Sequence, residues 1–437
     1  MRLIPLAFSA LSLAACALPY TPPALSPVTQ PAPPASGAAL PPAPMPRTTG
    51  APVTILVSID GFRPDYLDRG VTPNLSALAA SGVTAAMRPS FPSVTFPNHW
   101  TLVTGKVPDH HGIVGNRMED PARPGEVFTM ASDDPFWWNA AEPIWVTAEK
   151  AGVRTATMFW PGANVGWGGT IIPDSHGAIA NATRPEDWQQ FNQAVTGAQR
   201  VDAVIDWMRR PAAMRPRFVT LYFDTVDSAG HANGPQAPAT TQAVADVDAQ
   251  IGRLVQGLRD LRQPANLVIV ADHGMAATDG ARTISLDRVA DPADYRLLES
   301  GPYATLFPAA GRAAALEAAL LKPHAHMTCW RKSAVPARFR YGTSPRIPPY
   351  VCLAEPGWLI LKTASGDAFH GGAHGYDNRA PDMAALFVAN GPVFVGGKRL
   401  SGFDNTAINP LLRDLLGLPA ATGLDGDDAP FRQVLKR

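Results

Sequence analysis

Three carboxylates, three imidazoles and a hydroxyl, the side chains that hold a catalytic metal, recur in five short segments between residues 58 and 378. Asp60 lies in Ser58-Ile-Asp-Gly-Phe-Arg63, Thr95 in Pro92-Ser-Val-Thr-Phe-Pro-Asn-His99, and Asp227 with His231 in Asp227-Ser-Ala-Gly-His231. Asp272 and His273 lie in Ala271-Asp-His-Gly-Met275, and His374 in His374-Gly-Tyr-Asp-Asn378. Oxygen and nitrogen donors without a thiolate suit zinc in catalytic rather than structural use. Each piece alone has a plainer reading. Asp60 serves as a helix N-cap, Asp272-His273-Gly274 as a tight turn, Asp227 and His231 as an ion pair four residues apart, Thr95 as a cap and His374 as a loop histidine. Seven such groups at strand ends and in glycine-rich loops point instead to one site assembled by the fold.

The elements that must position them are legible in the apolar pattern. Runs at 53–59, 217–223, 266–271 and 383–389 are short and nearly continuous, as in strands buried on both faces. Between them, Val244, Val247, Ile251, Leu254, Leu258 and Leu261 recur at helical steps, with shorter helical patterns at 75–80 and 408–416. Alternation of this kind predicts an α/β fold with a mostly parallel sheet covered by helices on both faces. Ligands of such sheets gather at the carboxyl ends of the strands, where Asp60, Asp227 and Asp272-His273 fall. The stretch from about 279 to 369 breaks the alternation and reads as a capping insertion.

Composition sets the setting. Met1-Arg2 and the apolar run from Leu3 to Ala15 form a leader too short to span a bilayer as a helix. Its end, Leu13-Ala-Ala-Cys16, resembles a bacterial lipoprotein signal, so residues 1–15 are expected to be removed and Cys16 to carry lipid; ordinary secretion is the alternative. Eleven prolines between Pro19 and Pro46 make residues 16–50 a tether, leaving 51–437 for one catalytic domain. The chain is expected to be exported, periplasmic or anchored to the outer membrane through that lipid alone. Thirty-seven basic and 37 acidic residues cancel, which argues against a polymeric nucleic acid partner and for small solutes. Cys329 and Cys352 are an even pair in an exported chain, so a disulfide is expected.

Several further strings occur in order: Asp60-Gly-Phe-Arg-Pro-Asp-Tyr-Leu67, Phe91-Pro-Ser-Val-Thr-Phe-Pro-Asn-His99, Leu102-Val-Thr-Gly105 with His111-Gly-Ile113, Gly115-Asn-Arg117, Phe159-Trp-Pro-Gly162, Asp227-x-x-Gly-His231-x-x-Gly-Pro235 and His374-Gly-Tyr-Asp-Asn378. With these the chain, from about Val53 onward, resembles the bacterial nucleotide pyrophosphatase/phosphodiesterases of the alkaline phosphatase superfamily. The resemblance implies an alkaline-phosphatase-like fold and two zinc ions per chain. It implies that Asp60, Asp272, His273 and the Thr95 oxygen hold one ion, and that Asp227, His231 and His374 hold the other, with His370 the nearest competitor for the last position.

On the same resemblance Thr95 is the nucleophile that forms a phosphothreonine, Asn116 donates to a phosphoryl oxygen, and Phe96 and Tyr222 sandwich a base. Core packing is the alternative for both, the more so for Tyr222 inside an apolar run. The expected substrates are small nucleotides, cleaved to nucleoside monophosphates by a monomeric enzyme. Trp160, Trp167 and Trp188 lie on the expected pocket side. Three competitors remain. A phospholipid or choline-phosphate diesterase needs a wide apolar pocket, which residues 279–369 would supply. A monoesterase or phosphonate hydrolase needs a cation at the phosphate, for which Arg63 and Arg117 are near in sequence. A non-catalytic surface lipoprotein needs neither Thr95 nor Asn116, since structural zinc is normally closed by four protein ligands.

Overall fold

The computed structural model describes residues 51–436 apart from 174, 176, 177 and 365–369. The leader and tether lie outside the described residues. Nine strands form the large sheet: β1 (Val53–Ile59), β2 (Val83–Arg88), β3 (Thr155–Met158), β4 (Asp187–Gln189), β5 (Phe218–Phe223), β6 (Ala265–Val270), β7 (Ala385–Asn390), β8 (Lys398–Arg399) and β9 (Phe403–Asp404). Their order is β8-β2-β7-β6-β1-β5-β3-β4, with β9 also on β2. Only β7 runs against the rest, pairing antiparallel with β6 and β2. Every residue of β1 and β5 is buried, as continuous apolar runs require.

Helices cover both faces. Along α5 (Pro238–Asp260), Val244, Val247, Ile251, Leu254 and Leu258 are buried, while Leu261 caps the helix and is half-buried. Full burial of each such side chain stabilises by roughly 2 kcal/mol. This helix packs against α1 (Pro73–Ser81), α3 (Gly197–Arg209) and α4 (Thr225–Asn233), while α2 (Thr95–Thr104) packs against α6 (Ile408–Leu416) and the helix Ile144–Lys150.

Between β6 and β7 the chain leaves this sheet. Strands Tyr295–Glu299, Tyr303–Pro308, Met327–Arg331 and Tyr350–Ala354 make a separate antiparallel sheet with its own core, in which Leu306, Leu316, Leu320 and Ile360 are fully buried. Cys329 and Cys352 face each other across two of these strands and are joined by a disulfide. The insertion braces the loop that follows α2: the Arg346 guanidinium donates to the carbonyls of Gly112, Phe136 and Trp137 and to Asp120.

Candidate metal and active site

Register explains why the site forms. Ser58 of β1 lies beside Val270 of β6 and Tyr222 of β5, so Asp60 and Asp272, each two residues further on, emerge level with one another. The Asp60 amide donates to the Phe223 carbonyl, extending the ladder by one bond. Asp227 falls in the first turn of α4 and His231 one turn later, which puts both on one helix face. His374 arrives by a different route. The strand Ala276–Asp279 pairs antiparallel with His370–Ala373, which carries His374 back beside the Asp272-His273 turn. That strand can lie against α4 only because it is glycine there: a Cβ on Gly371 would sit 2.5 Å from the His231 carbonyl, and one on Gly372 2.6 Å from that of Gly230. His370 is exposed at the far end of the strand, so His374 is the histidine of the site.

Thr95 is the first residue of α2. Asn98 fixes the loop before it, donating to the Pro92 and Val94 carbonyls and accepting from the Ser90 amide. His111 locks the far side of α2, bonded to Thr101 and the Pro97 carbonyl, and burial drives its pKa down to about 3. The His111-Gly-Ile string is therefore scaffold.

The seven groups converge. His273 Nε2 lies 2.9 Å from Asp272 Oδ2, 3.4 Å from Asp60 Oδ1 and 3.3 Å from Thr95 Oγ1. Asp227 lies 3.4 Å from His231 Nε2 and 3.6 Å from His374 Nε2, and those two nitrogens are 3.0 Å apart. Asp60, Asp272 and His273 form one possible metal cluster, and Asp227, His273 and His374 another, with ligand atoms within 4.8 Å of one another. His273 enters both because its ring stacks on His374 at 3.5 Å.

These residues fit a cation. The Nδ1 atoms of His231, His273 and His374 each face a backbone carbonyl, of Gly372, Gly274 and Ser93, which can only accept a hydrogen bond. Each Nδ1 therefore carries its proton, and each Nε2 points inward as a lone pair. Two lone pairs 3.0 Å apart, together with buried Asp60 Oδ1, Asp227 Oδ1 and Asp272 Oδ2 that have no hydrogen-bond partner, are stable only around positive charge. Burial and the neighbouring charges pull the titratable groups in different directions. Burial and the neighbouring carboxylates Asp272 and Asp227 push Asp60 well above the usual carboxylate range. Burial would raise Asp272 too, but the imidazoles of His273 and His99 outweigh it and hold this carboxyl well below that range. Burial and the two other histidines push His374 well below its ordinary value.

A cavity of about 540 Å³ opens over this cluster. Asn116 lines it, its carbonyl oxygen accepting from the Phe96 amide at 3.0 Å while its amide nitrogen has no partner among the described residues. Phe96 stands near Trp138 on one wall, and Phe191 near Tyr222 on another. The Tyr222 hydroxyl donates to Asp60 Oδ2 at 2.6 Å, so this residue props Asp60 as well as lining the wall. Trp160 lines the cavity, whereas Trp167 and Trp188 do not. Arg63 is taken by Asp65, Asp382 and the Met275 carbonyl, and neither it nor Arg117 reaches the cavity. Among the described lining residues none is lysine or arginine, and none belongs to 279–369, so these residues do not supply the pocket that the competing lipid-diesterase reading would need from them.

Two contributors escaped the sequence reading. His99 bonds Ser58 and the Thr95 carbonyl and lies 3.4 Å from Asp272; its place four residues after Thr95 carries no signal of that role in the sequence. Phe191, 44% exposed at the cavity mouth, sits in a segment with no periodic signal.

Residues 54–377 match the family described as type I phosphodiesterase / nucleotide pyrophosphatase. A pyrophosphatase/phosphodiesterase of Schizosaccharomyces pombe is 36% identical over 84% of this chain and 77% of its own length. Ectonucleotide pyrophosphatase/phosphodiesterase family member 1 of Mus musculus is 34% identical over 89% of this chain, which spans only 43% of that longer protein. Among solved structures, an inactive threonine-to-alanine form of murine ectonucleotide pyrophosphatase/phosphodiesterase 5, in complex with AMP, is 32% identical. It superposes with a TM-score of 0.81 over 88% of this chain and all of that one. These relatives are eukaryotic. With its fold, ligand geometry and matched span taken together, the chain belongs to the type I phosphodiesterase/nucleotide pyrophosphatase family.

Proposed function

We propose that the protein hydrolyses phosphodiester and pyrophosphate bonds of small nucleotides to nucleoside monophosphates, using Thr95 as nucleophile and two zinc ions. The observation that carries this is the position of the Thr95 hydroxyl. It lies at the floor of an aromatic-walled cavity with no lysine or arginine among its described lining residues, 3.3 Å from a histidine nitrogen aimed at it. Asp60, Asp272 and His273 would hold one ion beside Thr95, and Asp227, His231 and His374 the other. When bound, such ions lower the pKa of a hydroxyl and neutralise charge on phosphoryl oxygens.

The chain's own residues do the rest. Thr95 gives up its hydroxyl proton and attacks phosphorus in line, and the bond from phosphorus to the leaving oxygen breaks on the far side, so that group departs. The nucleoside monophosphate stays esterified to Thr95 until water attacks from the side the leaving group vacated, which breaks the ester and restores the hydroxyl. The free amide nitrogen of Asn116 donates to a phosphoryl oxygen, an electrostatic contribution of about 3 kcal/mol in the transition state. Phe96 and Phe191 offer flat surfaces for a base, while Tyr222 is committed to Asp60 through its hydroxyl. The inactive threonine variant of the murine relative and the AMP it holds support this reading. A cavity wall with no lysine or arginine among its described residues favours a diester over a monoester dianion, which rewards an arginine. Export and lipidation at Cys16 rest on the leader, outside the described residues, and the monomeric state on the sequence reading alone.

The test is turnover of p-nitrophenyl thymidine monophosphate against p-nitrophenyl phosphate by zinc-loaded protein. A diester preference of about a hundredfold, near 3 kcal/mol of transition-state discrimination, is expected. Preference for the monoester would overturn the assignment.

A further inference from the structure

We infer that Asp224, held at the cavity wall by the buried guanidinium of Arg200, selects the group retained on the transferred phosphate by accepting a hydrogen bond from it. The inference rests on the diesterase reading and goes one step deeper into the same cavity.

Once Asp60 and Asp227 are given to metal, Asp224 is the only carboxylate left among the described residues lining the cavity. A negative group left over in a site for anions repels phosphate, so its partner is a neutral part of the substrate. Asp224 occupies the N-cap of α4, yet its side chain makes no capping hydrogen bond. It turns instead to Arg200, which donates to Asp224 Oδ1 at 2.7 Å, to the Tyr222 carbonyl at 3.0 Å and to the Val195 carbonyl at 3.0 Å. The Arg200 side chain is 3% exposed and that of Asp224 15%, so the cation lies behind and the carboxylate faces the cavity. Asp224 Oδ2 has no partner among the described residues. A buried ion pair is weak evidence for stability on its own, since apolar replacement is often neutral. Here the pair leaves an acceptor aimed at the site.

Arg200 also fixes what lies beside that acceptor. Its guanidinium sits over the ring of Phe159 at 5.0 Å and over that of Phe191 at 5.6 Å. One buried cation therefore positions both a flat aromatic surface and a carboxylate oxygen next to it. A nucleoside matches that pairing, with a planar base and adjacent hydroxyl or N–H donors. Arg200 is the positioning residue and Asp224 the group that touches substrate.

The experiment compares two diesters with the same leaving group and charge, p-nitrophenyl thymidine monophosphate and bis(p-nitrophenyl) phosphate. The first retains a nucleoside with donors, the second a ring without any. In Asp224→Asn the arginine keeps the amide oxygen and turns the NH2 group to the cavity. The ratio of kcat/KM for the thymidine ester over the bis ester then falls by about tenfold, mainly through KM, as loss of one charge-assisted hydrogen bond implies. Arg200→Lys, which loses the fork, lowers the ratio less. The double variant Asp224→Leu/Arg200→Met leaves no orphan charge and lowers the ratio as Asp224→Asn does, which guards against misfolding of the single variant. An unmoved ratio in folded, metal-loaded variants overturns the role of Asp224 while wild-type cleavage of both esters upholds the diesterase. Cleavage of neither ester by wild type overturns both.

Discussion

The two ligand groups of the site use the same side-chain chemistry at opposite depths. In the first, the side chains of Asp60, Asp272 and His273 are at most 2% exposed. In the second, Asp227 is 17% exposed and His231 44%, with His374 at 7%. The inner group is braced from behind by the Tyr222 hydroxyl on Asp60, the Gly61 amide on Asp272 and His99 beside Asp272. The outer group forms part of the cavity wall and its histidines are tied only to backbone carbonyls. Depth separates two tasks. On the proposed reading, the inner group would keep a cation next to Thr95, and the outer group would leave room for substrate beside a second.

The sharpest break in that division is Thr95→Ala, which removes the hydroxyl beside His273 of the inner group. Turnover falls by at least about three orders of magnitude while the fold and metal content persist. Steady-state rates together with metal analysis check this, and near-wild-type rates would end the nucleophile assignment. Next come the ligands themselves. Asp272→Asn empties the inner group and lowers the melting temperature of the loaded protein, because a buried carboxylate braced by three neighbours is lost. His231→Ala weakens only the outer ion, by about 100-fold or more, leaving about one tightly held zinc per chain. Zinc retained after dialysis reads both, and equal losses would show that depth does not divide the groups.

How much of this was legible depended on how local the signal was. Apolar runs marked β1, β5 and β6, and the level ends of parallel strands made Asp60, Asp227 and Asp272 readable as one cluster. The reversed direction of β7 was not readable, because a buried antiparallel strand has the same continuous apolar pattern as its parallel neighbours. Residues set by tertiary contact also stayed silent. Phe191 and Asp224 acquire their place from Arg200 on α3, and no spacing relates residues 191, 200 and 224. The cap was visible as a break in alternation, but its use as a brace, through Arg346, was not.

Glu299 shows what depth does to a carboxylate whose neighbouring cation only partly offsets burial. It closes a cap strand behind the Gly115-Asn116 turn, with Oε1 buried and unpartnered. Burial pushes its pKa up to about 7, against the backbone amide and charge of Arg117, which lower it. A carboxyl raised on folding keeps its proton in the native state after the unfolded chain has lost it. Its favourable contribution is therefore complete below pH 4.5 and lost as pH rises through about 7. Glu299→Gln should flatten that slope and stabilise at pH 8 by on the order of 2–3 kcal/mol. Denaturant midpoints at pH 5 and pH 8 decide it; a parallel fall in wild type and variant would remove Glu299 from the account.

The smallest effect sharpens the comparison most, because it touches one group only. Tyr222→Phe keeps the ring on the cavity wall and deletes the 2.6 Å hydrogen bond to Asp60 Oδ2. Outer-shell partners of metal ligands typically contribute about tenfold or more in metal affinity. The inner ion should therefore bind about tenfold more weakly, with kcat falling in step at limiting zinc and recovering at excess. The outer ion, whose histidines are held by the Gly372 and Ser93 carbonyls, should be unaffected. Two-site zinc titration followed by chelator competition separates the ions. Weakening of both together would mean that Asp60 serves the two groups jointly, and the line drawn here by depth would have to move to the shared, stacked His273.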